Sequence, residues 1–239
     1  MSIRLLSLAT LIALVIGGQA SAGISFLDED FTNFGVDWSS VEIVDTSTQS
    51  SAGLSLSGDG NPGTSLRVVY NIGGQPFAEL KTFHGNANFV YDPSVNGAIQ
   101  TIDFSSDART IPPGGAFNYF FGFEQAGNIF EVQLANVDFG PFDPRGTSGL
   151  TASSFVASQG STGVPDFSVA GDPITFGFLL ATSIGNSTQF SQFGAELDNY
   201  LVQISADTST IPEPGSFSLL LVGSGLLGAA RILRRKAKS

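Results

Sequence analysis

Asp28, Glu29 and Asp30 stand together in FLDED, and Asp198 and Asn199 follow much later in AELDNY. Carboxylates and amides are hard oxygen donors, and a calcium ion gathers about 6 to 8 of them, some from backbone carbonyls. Asp59 and Asn61, in the Gly-rich stretch GDGNPG, are a further pair of donors. The ends of a jelly-roll sandwich lie close together, which would bring the first two stretches near each other, with Asp59 and Asn61 as another candidate pair. Asp28, Asp30, Asp59 and Asp198 are therefore the expected ligands of a calcium ion, the one cofactor the sequence suggests. The spacing matches neither an EF-hand nor a nonapeptide repeat, and turn formation is the ordinary use of Asp and Asn in such stretches.

Other chemistry is thinly supplied. His84, in KTFHGNAN, is the only histidine, and no G-x-S-x-G elbow accompanies it. It is expected in a loop, solvent-facing or structural, with no catalytic role. Glu124 and Glu131 flank the turn in FGFEQAGNIFEVQ and could oppose each other across two strands, as a glycosidase pair requires. Acids on strand faces are more often simply solvated. Trp38, Tyr70, Tyr91, Tyr119 and Tyr200 are the amphipathic aromatics on which a sugar could stack, although Trp38 fits a core equally well. With no cysteine among 239 residues, thiol catalysis, Cys-ligated zinc and an N-terminal lipid-Cys anchor are excluded.

The elements that would position these residues are strands. Only 13% of the chain is charged, against 29 Gly and 21 Phe, a composition for a folded, turn-rich domain and not for disorder. Between residues 23 and 210 four basic residues face twenty acidic ones, a net charge of −16. Such a surface excludes nucleic acid as a partner. Strand-like runs occur at 41–44, 65–70, 88–91, 98–104, 116–123, 129–134, 174–180 and 200–204, several with a period of two. Turns are expected at 58–63, 71–74, 112–115 and, as a hairpin, at Ala126-Gly127-Asn128. These elements predict an all-β, antiparallel β-sandwich of the jelly-roll kind over residues 23–208.

The ends carry addresses. Residues 1–22 combine Arg4, an apolar run from Leu5 to Ile16 and Ala20-Ser21-Ala22, the pattern of a secretory signal peptide cut by signal peptidase after Ala22. Residues 209–239 contain Pro212-Glu213-Pro214, an uncharged stretch from Phe217 to Ala230, and Arg231, Arg234, Arg235 and Lys236. A helix over about 215–233 would approach the ~30 Å of a hydrocarbon core, with the basic tail at 231–238 held on the cytoplasmic side. The order of these parts closely resembles the PEP-CTERM sorting signal. That resemblance implies recognition of Pro212, Glu213 and Pro214 by an exosortase, a membrane stop before cleavage, and delivery to the cell surface or medium of an exopolysaccharide-producing bacterium.

The body is similar, more loosely, to jelly-roll carbohydrate-binding and concanavalin-like modules, through DFTNFGVDWSS, GDGNPGTSLRV, and ITFGFLLATS followed by AELDNYLVQI. What this implies is a fold. A non-enzymatic surface or matrix protein that binds polysaccharide or serves structurally is the leading expectation. A secreted glycoside hydrolase-like enzyme and a permanently membrane-tethered adhesin are the alternatives. The ligand-binding residues are not legible.

Overall fold

The structure, a computed structural model, describes residues 23–112, 116–137 and 139–207. The expected signal helix and C-terminal membrane helix, with Pro212, Glu213, Pro214, Arg231, Arg234, Arg235 and Lys236, lie outside the described residues. Among the described residues no helix is long and apolar enough to cross a membrane.

Two antiparallel six-stranded sheets form a β-sandwich. The first has the order β3 (Gln49–Gly60), β4 (Gly63–Gly73), β12 (Ser191–Asp207), β6 (Ala98–Ile111), β9 (Asp143–Leu150), with β1 (Gly23–Asp28) also paired to β12. The second has the order β10 (Val156–Ala157), β8 (Asn128–Gln133), β7 (Asn118–Gln125), β11 (Ile174–Ser183), β5 (Glu79–Tyr91), β2 (Trp38–Asp45).

Period-two patterning builds the interior. Along β6, Ile102, Phe104, Ser106, Ala108 and Thr110 are buried, while Thr101, Asp103, Asp107 and Arg109 alternate with them as half-buried positions. The abundance of Phe is explained by what fills the space between the sheets. Phe104 stacks on Phe121 at 4.4 Å, and Phe121 on Phe176 at 6.0 Å. Leu80, Thr82 and His84 of β5 point into this core, so Lys81 and Phe83 point to the other side of their sheet. There Phe83, Ile129 and Leu179 form a second, smaller cluster. The expected hairpin between β7 and β8 is present, but its turn is only Ala126 and Gly127, both at positive φ as a two-residue turn requires, since Asn128 already pairs with Gln125.

One expected turn is corrected. Asn71-Ile72-Gly73 belongs to β4, because Ile72 pairs with Ser50 on one side and Ser191 on the other. Hydrogen bonding on both flanks outweighs the local preference of Asn and Gly for a turn.

Candidate ligand-binding site

The long strand β12 exchanges partners part-way along its length. Residues Ser191 to Leu197 pair with β4, and from Tyr200 onward the same side of the strand pairs with β1. Asp198 and Asn199 fall in the gap, where the register with β6 also shifts. Asn199 adopts φ 50, a left-handed conformation that Asn tolerates better than most residues. Side chains then satisfy the backbone that the sheet leaves open. Asp198 accepts hydrogen bonds from the N–H groups of Asn61 and Asn199. Asn199 Nδ2 donates to Asn61 O and to Asp107 Oδ2, each at 2.8 Å.

This knot is electrostatically uneven. Asp198 is fully buried, and burial raises its pKa above the usual carboxylate range. The carboxylates of Asp107 and Asp30 push it up further, while the two backbone N–H donors oppose the rise. Of the four expected calcium ligands, Asp30 and Asp198 are thus near enough to feel each other's charge. Asp107, which no sequence signal singled out, joins them.

The other two have separate tasks. Asp28 Oδ1 accepts from Phe31 N at 2.8 Å and Oδ2 from Trp38 Nε1 at 2.9 Å, closing the turn after β1 and fixing the indole. Asp59 is 72% exposed and lies 3.9 Å from Arg109. Among the described residues no group of three or more His, Cys, Asp or Glu side chains is placed to hold a metal ion. A cation here would need backbone carbonyls and water to complete its shell.

Beside the knot opens a cleft of about 370 Å³. It is lined by Asp28, Glu29, Asp30 and Asp37, by the amides Asn33, Asn86 and Asn88, and by Thr32, Leu27 and Phe89. The cleft exists because β2 pairs with β5 only as far as Trp38 and Asn86, leaving the later residues of β5 facing the turn after β1. Its walls are mostly hydrogen-bond acceptors and amides. A shallower groove of about 430 Å³ lies where Asp103, Ser105, Thr147, Ser148 and Gln203 line the first sheet.

The remaining candidates are placed differently from expectation. His84 is in a strand and fully buried, and burial lowers its pKa to about 3. Its ring bridges Ser40 Oγ at 2.8 Å and Tyr70 Oη at 3.0 Å and stacks on Phe178. Glu124 and Glu131 do not oppose each other: Glu124 is opposite Ile129, and Glu131 is opposite Gly122. Glu131 is held at 2.5 Å by Lys81, which also lies over the Phe120 ring. The aromatic platforms considered in the sequence are all core residues. Trp38 packs against Phe31, Phe89, Phe178 and Tyr200, and every tyrosine is buried with its hydroxyl hydrogen-bonded. Among the described residues the exposed rings are phenylalanines instead: Phe77, Phe139 and Phe190. The signal for Phe77 was a large apolar residue inside turn-forming sequence, GGQPFA, where no core strand could use it.

Residues 210–236 match the PEP-CTERM protein-sorting motif. The chain carries a PEP-CTERM sorting signal. PEP-CTERM proteins are exported and sorted to the cell surface. No curated protein matches the chain in sequence. Among solved structures, the sandwich is similar to a family 11 carbohydrate-binding module from Clostridium thermocellum in complex with a β-1,3-1,4-mixed-linked tetrasaccharide. The identity is 11%, covering 78% of this chain and 98% of that one, with a TM-score of 0.45. A similar likeness joins it to a xylan-binding family 22 module from Paenibacillus barcinonensis, at 11% identity, 79% and 99% coverage and a TM-score of 0.41.

Proposed function

We propose that this PEP-CTERM protein is a non-enzymatic component of the cell surface or extracellular matrix whose β-sandwich binds polysaccharide. The observation that carries the reading is the open cleft lined by Asn33, Asp37, Asn86 and Asn88 beside Asp28, Glu29 and Asp30. Carboxylates and amides accept hydrogen bonds from sugar hydroxyls, and the volume is in the usual range for a small-ligand site. Binding without hydrolysis is supported by the spent state of the acids. Both oxygens of Asp28 already accept hydrogen bonds, and Glu131 is paired with Lys81.

Calcium belongs to the same reading as a structural ion at the β12 knot, drawn by the Asp198 carboxylate with its acidic surroundings and relying on backbone carbonyls and water for most of its shell. Burial, reinforced by the nearby Asp107 and Asp30 carboxylates, raises the Asp198 pKa, and a cation would relieve that cost. Before processing, the apolar stretch from Phe217 to Ala230 holds the protein at the inner membrane; an exosortase then cuts at Pro212-Glu213-Pro214.

The test is retention of the exported full chain on immobilised glycans, with Asn33→Ala and Asn88→Ala as variants. Asn33 makes no side-chain cap to the helical turn that follows it, so its loss leaves that turn intact. The expected result is binding that both variants weaken. Absence of binding to any glycan, with and without calcium, refutes the reading.

A further inference from the structure

At the end of the sandwich opposite to Gly23 and Asp207, two loops are sewn together. Gly74 N donates to Thr188 O, Phe77 N to Gly185 O, and Ile184 N to Ala78 O. The loop after β4 and the loop before β12 therefore move as one surface. From that surface two phenylalanines project, Phe77 at 71% exposure and Phe190 at 58%. Phe77 sits at φ 58, a backbone region that bulky side chains avoid, so the fold spends local strain on turning an aromatic ring outward. Phe190 lies close against Gly73, where an added Cβ would come within 2.9 Å of its Cα.

We propose that this loop pair is a second glycan-contact surface, with Phe77 and Phe190 as rings for the apolar faces of neutral sugar residues. The assignment rests on the polysaccharide-binding reading above and gives it a ligand class. Around the rings the loops present Gln75, Asn186, Thr188 and Gln189, which donate and accept hydrogen bonds as hydroxyl-rich partners require. Residues 74–78 and 183–192 contain no charged side chain, in a body of net charge −16. That charge repels polyuronates and anionic lipid, whereas a neutral glycan escapes the repulsion. Along β12 the surface is about 30 Å from the acidic cleft, at ~3.3 Å per residue from Ser191 to Tyr200. The two contacts are distinct, able to hold two chains or successive segments of one.

Affinity electrophoresis of the exported full chain in gels containing mixed-linked β-glucan, xylan, galactan or alginate tests the assignment. Phe77→Gly suits the left-handed backbone and removes only the ring; Phe190→Ala removes the other; Phe77→Tyr and Phe190→Tyr restore them. Retardation by a neutral glycan, weakened about tenfold by each ring removal, as expected for loss of a stacking anchor, and rescued by Tyr, is the expected result. Retardation that depends on Asn33 and Asn88 but ignores both phenylalanines overturns this surface and leaves the cleft standing. Retardation by alginate alone overturns the neutral ligand class. If no gel retards the wild-type chain, the polysaccharide reading itself fails. Sedimentation of the wild-type chain with phosphatidylglycerol vesicles, or self-association abolished by Phe190→Ala, overturns the assignment in favour of a lipid surface or a second copy.

Discussion

Glu196 and Asp198 are two residues apart on β12, both fully buried, and their carboxyl groups titrate in opposite directions. Burial pushes both up. For Glu196 the hydrogen bonds from Arg67, Arg109 and Ser57 outweigh burial and bring it below the usual range. Arg67 Nε lies 2.9 Å from Oε1 and Arg109 Nε 2.7 Å from Oε2, so each oxygen has its own guanidinium. Asp198 has carboxylates for neighbours instead, and stays raised.

The stabilisation from Glu196 follows from the direction of its shift. A lowered folded-state pKa gives stability that is present above the unfolded value and lost as pH falls through the folded one. Glu196→Gln is expected to destabilise by about 2 kcal/mol at neutral pH, below the full figure for breaking a buried pair because Arg67 is partly exposed. Urea denaturation should show the gap between variant and wild type closing in acid. A constant gap from neutral pH down to pH about 3 would mean that the arginines do not act through its charge.

At Asp198 the sign reverses. Its raised pKa means that protonation favours the fold, so the benefit is complete below the unfolded value and disappears as pH rises through the folded one. At neutral pH the ionised group is a burden that a divalent cation can lift. Millimolar calcium is expected to raise Tm at neutral pH and to do nothing in acid, with Asp107→Asn shrinking the response. Identical melting curves in calcium and in chelator would remove calcium from the account.

Trp38 is the only tryptophan, and it lies inside the sandwich with its Nε1 on Asp28. Its fluorescence should be blue-shifted and unchanged by any glycan. Trp38→Ala is expected to destabilise by about 3–5 kcal/mol, as large aromatic deletions in a core do. Quenching by a saccharide would place a sugar where the core is described.

Sorting can be read by mass. The exported protein is expected to lack Arg231, Arg234, Arg235 and Lys236, and alanines at Pro212, Glu213 and Pro214 should retain them in a membrane fraction. Intact-mass measurement on both forms decides between processing and a permanent tether.

Strands with clear alternation are legible in the sequence, as Ala98 to Phe104 and Ile174 to Leu180 illustrate. The buried first half of β5, around His84, and the start of β12 fall outside the strand-like runs, and two more strands escape because their side chains do little burying. β3 reads SSAGLSLSGDG after Gln49, and β9 reads DPRGTSGL with Pro144 inside it; both are outermost in their sheet, where pairing on one side suffices. The gathering of Asp30 and Asp198 was foreseeable from first and last strands lying together. The inclusion of Asp107 was not, since it depends on a register shift in the middle of β12. The outward turn of Phe77 was readable only from its place inside the turn-forming GGQPFA, against a composition that otherwise assigns Phe to a core.

The position of β12 also has a mechanical consequence. It is a central strand, bonded to β6 on one side and to β4 and then β1 on the other, and it is the strand from which the chain continues at Asp207 toward residues 210–236. A pull on the C-terminal side of the protein is therefore a load along the axis of β12, across hydrogen bonds that run perpendicular to it. Bonds loaded in that direction resist together, whereas bonds at a peeled edge fail one after another. The strand that completes the sandwich is also its grip against drag on whatever the rest of the surface holds.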